Sequence, residues 1–198
     1  MLPKQVETAR GHYLQSIVEK ESASNLAGWP MLAKSDYALV GGLIVLYSYI
    51  DLNLRRVVEV FHHAGLLKEP WAKKVDTLNA EQVAEAIQSL TCWDDEGRRA
   101  LGQIEELRGL RNLVAHFAIR RFPTDDAFIF VAKSARDYKR HFKADPPPGA
   151  VFSAVVDCKQ IRAALRHVEH VQNWLATATP KLEEALSPRA SANAGKRS

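Results

Sequence analysis

Arg111 and His116 stand in the run Leu107-Arg108-Gly109-Leu110-Arg111-Asn112-Leu113-Val114-Ala115-His116-Phe117. Their types suit phosphoryl chemistry. An imidazole moves a proton near neutral pH, and a guanidinium holds a phosphate through two hydrogen bonds. Both lie in a stretch whose apolar residues recur at helical spacing. Burying a guanidinium and an imidazole in such a helix costs stability unless they are paired or face a cleft.

Successive helical residues turn by about 100°. Ile104, Leu107, Leu110, Val114 and Phe117 then form one apolar stripe. Glu105, Arg108, Asn112 and His116 form a polar stripe, with Gly109 between them. Arg111 falls at the border of the apolar face, about 140° around the helix from His116 and roughly 7.5 Å along it. One helix does not easily bring both tips to one atom. A second copy related by a two-fold axis does, and Gly109 and Ala115 would allow close approach.

The elements around this helix are predicted as follows. Residues 4–22 read as a first helix, and Gly28, Trp29 and Pro30 mark a connection. Ser35 or Asp36 caps a long helix running to about Ala64 and stopped by Gly65. Its Leu43, Leu46, Ile50, Leu54, Val57, Val58 and Phe61 recur at spacings of three and four. Gly41-Gly42 weakens that helix and suggests a closely packed neighbour. Residues 70–90 hold one or two short helices, with Asn79 capping Ala80 to Leu90. Asp94 or Asp95 starts the Arg111/His116 helix, which runs to about Ile119 and is closed by Pro123. Ala127 to Ala132 and Val151 to Val156 read as two strands of a hairpin, about 127–156, with a long basic loop. A last amphipathic helix covers Asp157 to Thr179. Residues 187–198 read as a disordered tail, and 1–186 as a single domain.

Hydrophobic residues make up 46% of the chain, enough for a core. Cys92 and Cys158 form no CxxC pair and read as reduced thiols. Met1 to Glu7 lacks an apolar signal core, and the run Ala38 to Ile50 is shorter than the about 20 residues of a membrane span. The expectation is a cytoplasmic protein without membrane contact. Net charge is +4, but Arg108 to Lys143 holds nine Lys or Arg against three Asp. That local excess suits RNA or DNA, and a solvated basic face accounts for it equally well. There is no Walker loop, dinucleotide fingerprint or nucleophile elbow. His167 and His170 are three apart with no third ligand nearby, so no metal site is expected.

Arg111-Asn112-x-x-x-His116 in a late helix of an all-α bundle resembles the HEPN superfamily, marked by Arg, a polar residue, three to five others and then His. The resemblance covers roughly residues 36 to 120. It implies a mainly α, up-and-down bundle, here with a small β-hairpin inserted before the last helix. It also implies a metal-independent endoribonuclease without cofactor, dimeric, with an active site built from both copies of the motif. Its partners would be RNA, a second copy and an antitoxin protein, and its role that of a toxin or antiviral effector. In one subgroup, paired with nucleotidyltransferase antitoxins, Tyr stands two positions after the His. Ala118 stands there in this chain, so adenylylation at that position is not supported.

Under that resemblance His116 is the general base on a ribose 2′-hydroxyl or the general acid on the leaving oxygen. Arg111 binds the scissile phosphate and stabilises the transition state. Asn112 orients His116 or bonds RNA. Arg108, Arg120, Arg121, Lys139 and Arg140 are the candidate substrate-binding cations, with a pair to Glu105 as the alternative for Arg108. Asp51 and Glu105 are supporting residues. Asp51 would hold Arg111 or His116, or else pair with Arg55 at i+4. Tyr47 reads as a core tyrosine before a base-stacking one. Two alternatives stay open: a catalytically inactive HEPN-like module binding RNA, a nucleotide or a protein, and a scaffold in which Arg and His only tie a dimer.

Overall fold

A computed structural model describes residues 9–21, 25–26, 28–131, 136, 139, 144–145 and 153–186. It is mainly helical, with one small antiparallel sheet. The helices are α1 (Ala9–Val18), α2 (Lys34–His63), α3 (Ala80–Gln88), α4 (Asp95–His116) and α5 (Cys158–Leu186), with a 3-10 turn at Ala72–Thr77. The strands β1 (Ala118–Arg121), β2 (Ala127–Val131) and β3 (Ser153–Asp157) lie in the order β1-β2-β3. The chain divides into two compact units, 1–45 with 106–167 and 46–105 with 168–198.

In the first unit β2 is the central strand. Ala127, Phe128, Ile129 and Phe130 are all fully buried, so both faces of the strand are covered. Its apolar run explains why it sits between two partners: buried backbone N–H and C=O groups must pair on both edges. β3 supplies one edge, with Phe128 opposite Val156 and Phe130 opposite Ala154. β1 supplies the other, with Ile119 opposite Phe130 and Arg121 opposite Phe128. Leu14 and Val18 of α1 join Leu26, Phe122, Ala127, Ile129 and Val155 in one apolar cluster. Trp29 meets Phe122 edge-on at 4.6 Å.

The second unit is held by polar ties into its helices. The Tyr47 hydroxyl donates to the Ile104 carbonyl at 2.9 Å, which makes Tyr47 a core residue. The Trp93 indole donates to the Ile87 carbonyl at 3.0 Å and its ring lies 5.8 Å from Trp174. Gly97 allows this: a Cβ there would stand 3.1 Å from Trp93 and 3.3 Å from Trp174. Asn79 and Gln82 form a reciprocal capping box on α3, as the sequence predicts for Asn79.

Several boundaries differ from the sequence reading. α2 starts at Lys34, and Asp36 is not the N-cap. Its carboxylate reaches back three residues to accept the Ala33 N–H at 2.8 Å, the role of an N3 acid. α4 stops at His116, not Ile119, because Ala118–Arg121 pairs with β2 and turns the predicted hairpin into three strands. α5 continues through Pro180 to Leu186, beyond Thr179. Of the closely packed neighbour expected at Gly41-Gly42, only Gly42 has one, Leu165, 3.5 Å from where a Cβ would stand. The predicted residues 4–8, most of the basic loop and the tail 187–198 lie outside the described residues.

α4 also buries its residues differently. In its first half Gly97, Ala100, Leu101 and Ile104 are buried; in its second half Gly109, Leu110, Leu113 and Val114 are. Nine residues separate Ile104 from Leu113, and at about 100° each they lie on opposite sides of the helix. The buried face therefore changes sides along α4. The predicted single stripe missed Leu113, which is fully buried, and included Leu107, which is only half-buried.

Candidate active site

The second half of α4 is anchored by Leu110, Leu113 and Val114. These residues set the rotation of the helix and so the directions of Arg111, Asn112 and His116. Arg111 and Asn112 are half-buried, whereas His116 is exposed in the last turn. The Arg111 guanidinium donates to the Asn112 side-chain oxygen at 3.2 Å. Asn112 thus steadies Arg111 rather than His116. Among the described residues His116 makes no hydrogen bond or ion pair, so both of its ring nitrogens are open to a ligand. Arg111 and His116 are not brought together within one chain.

The other predicted site residues fare unequally. Arg108, Glu105 and Asp51 are half-buried and none is free. Arg55, the alternative partner of Asp51, donates to the Leu78 carbonyl at 2.9 Å. Arg120 is half-buried and its guanidinium contacts the Met31 sulfur. Lys139 is exposed and pairs with Asp145 at 2.8 Å. Arg140 lies outside the described residues.

Arg121 is a correction. One of its guanidinium nitrogens binds the buried Asp36 at 2.5 Å and another binds Asp126 at 2.7 Å. Its plane also lies over Phe128, 5.8 Å from the ring centre. A cation so committed would leave a buried carboxylate unpaired if it turned to a phosphate, which is costly. Arg121 is therefore a structural residue, not a substrate-binding one.

This network is the largest polar feature that the sequence reading missed. Arg162 adds a bond to Asp126 at 2.9 Å, and Arg10 pairs with Asp157 and, at 3.3 Å, with Asp125. Cations from α1, β1 and α5 thus converge on acids of α2, the β1–β2 turn and β3. The Arg162 hydrogen bond, with further ones from the Cys158 thiol and Arg121, holds Asp126 below the usual carboxylate range. Cys158 is pushed up to about 12, first by burial and then by Asp126, so its thiol stays protonated. The only hint in the chain was Arg120-Arg121 followed by Asp125-Asp126 across a tight turn.

Asp126 is expected to make the fold acid-sensitive. A carboxylate whose folded pKa lies below its unfolded value, about 3.9, stabilises the fold above that value and loses the contribution as pH falls through the folded one. Denaturant unfolding of Asp126→Asn should show a protein less stable than the wild type at pH 7, with the two converging below about pH 4. Parallel stability curves would mean that the ionisation of Asp126 contributes nothing.

No protein-family model matches the chain, and neither a curated protein nor a solved structure does. Among the described residues no three His, Cys, Asp or Glu side chains gather as a metal-binding group. α2 is the one described helix long and apolar enough to cross a membrane, although its run Ala38 to Ile50 read as too short; a buried core helix passes the same test.

Proposed function

We propose that the chain is a cytoplasmic, metal-independent endoribonuclease of the HEPN-like kind that works as a dimer. One observation carries the reading. His116 is exposed at the end of α4 and has no partner among the described residues, while Arg111, five residues earlier, is half-buried and steadied by Asn112. An open imidazole from one copy and a steadied guanidinium from the other make the pair that RNA transesterification needs. His116 takes the proton of a ribose 2′-hydroxyl, and the freed oxygen attacks the adjacent phosphorus. Arg111 holds the phosphate and offsets the charge that builds on its oxygens. The P–O5′ bond breaks, and the 5′-oxygen leaves with a proton from the acid form of His116. The products are a 2′,3′-cyclic phosphate and a 5′-hydroxyl. Such an activity would serve a toxin restrained by an antitoxin protein, or an antiviral effector.

Because Arg and His supply both charge and proton transfer, cleavage by the purified protein is expected to persist in excess EDTA. A His116→Ala preparation made in parallel controls for contaminating nucleases. Activity that vanishes with EDTA and returns with a divalent cation would overturn the mechanism. RNA that stays intact yet is retained with the protein on a filter would favour a binding module.

A further inference from the structure

Arg120 and Arg121 are neighbours on β1 and point to opposite faces of the sheet, because side chains alternate along a strand. Arg121 is held by two carboxylates, Asp36 and Asp126. Arg120 is half-buried, yet among the described residues it meets no carboxylate. Its guanidinium rests on the Met31 sulfur, a weak acceptor. Met31 is 60% exposed, more than any other large apolar side chain among the described residues. Its backbone is nonetheless fixed on both sides. The Pro30 carbonyl accepts the Arg121 N–H at 2.9 Å, and the Ala33 N–H donates to Asp36 at 2.8 Å. Ala118 shares the Arg120 face of β1, is exposed and carries only a methyl group. α4 ends at His116 and β1 starts at Ala118, so at most about 14 Å of chain separates Arg120 from His116. All of these residues belong to the first unit.

We propose that Arg120 and Met31 form a shelf that holds one unpaired nucleotide of the RNA beside the reacting phosphate. The base lies against Met31 and the guanidinium plane, and the nucleotide's own phosphate lies at the guanidinium edge. The inference rests on the nuclease reading and adds to it the contact that sets the path of the strand past His116. Three properties of the shelf suit a nucleotide. A half-buried guanidinium with no counter-charge has lost part of its hydration and gains from an anion, which RNA supplies at every residue. A guanidinium plane and a polarizable thioether together accept the face of a base, and methionine adapts to bases of different shape. The shelf also stands on a strand and a pinned connection, so little order has to be created on binding. Every base has such a face, so the shelf fixes the register of the strand rather than its sequence. An acidic peptide would satisfy Arg120 but would leave Met31 in water.

The test is fluorescence anisotropy of the full chain with a random-sequence 2′-O-methyl RNA of about 12 nucleotides and with its abasic counterpart. Neither strand has a 2′-hydroxyl to attack, so binding is read without cleavage. Met31→Ser is expected to weaken binding of the base-bearing strand about fivefold or more and to leave the abasic strand unchanged. Met31→Leu keeps the apolar surface and should bind like the wild type. Arg120→Gln should weaken both strands and flatten the slope of log affinity against log salt by about 0.7, the share of one phosphate contact. Because Met31 is exposed, Met31→Ser should melt with the wild type, which separates lost stacking from misfolding. A wild type that binds neither strand would overturn the proposal. So would a base-bearing strand indifferent to Met31→Ser, or an equal loss on the abasic strand. Poly-glutamate bound with the same dependence on Met31 and Arg120 would overturn it in favour of an acidic peptide. Cleavage is read separately on a strand that carries its 2′-hydroxyls. A protein that binds in the expected pattern but cuts nothing keeps the shelf and removes the nuclease reading. One that cuts while Met31→Ser binds normally removes the shelf alone.

Discussion

A His116→Ala protein is expected to fold normally and to cleave RNA about 10² to 10⁴-fold more slowly than the wild type, the usual cost of losing one acid–base group. The placement of His116 makes the test clean. It is exposed at the last turn of α4 and has no partner among the described residues, so truncation opens no cavity and strands no buried group. Circular dichroism and sedimentation establish the fold and the assembly, and a single-turnover assay reads the rate. Undiminished cleavage by a folded variant removes His116 from the mechanism.

The second large effect is recovery of activity by mixing two inactive proteins. Arg111 and His116 lie about 140° apart around one helix, so the active pair is expected to join Arg111 of one copy to His116 of the other. Homodimers of Arg111→Ala and of His116→Ala should each be nearly inactive. Unfolded and refolded together, they form heterodimers in which one subunit keeps His116 and the other keeps Arg111. A site shared between subunits then regains one intact pair; a site within one chain regains none. About half of the dimers are hetero under random mixing, which bounds the recovery. Because Arg111 is half-buried, Arg111→Gln is the companion variant that separates loss of charge from loss of packing. Verified heterodimers no more active than either parent would rule out the shared site.

The long helices were legible because their apolar residues repeat. Leu43, Ile50, Leu54, Val57, Val58 and Phe61 are all buried, as their spacing predicts, whereas Leu46 of the same set is half-buried. The half-buried Arg111 and the exposed His116 follow from the same periodicity. β1 was not legible, since Phe117 and Ile119 continue the helical spacing of α4. Four residues became a strand because the buried β2 needed a partner on that edge, which is a tertiary demand. Arg121 was misassigned for a related reason. Asp36 stands 85 positions before it, and no local pattern announces that a surface-like arginine will meet a buried carboxylate.

The change of buried side along α4 makes the length of that helix a matter of phase. Ile104 and Leu113 sit half a revolution apart along one helix, and both are buried. One residue inserted between Ile104 and Gly109 would turn everything downstream by about 100°, carrying Leu110, Leu113 and Val114 out of contact and Arg111 and His116 with them. Seven inserted residues, about two full turns, would nearly restore the angle while adding about 10 Å of length. The four residues 105–108 therefore act as a spacer whose number is more constrained than its composition. They time the site to the core as teeth time a gear.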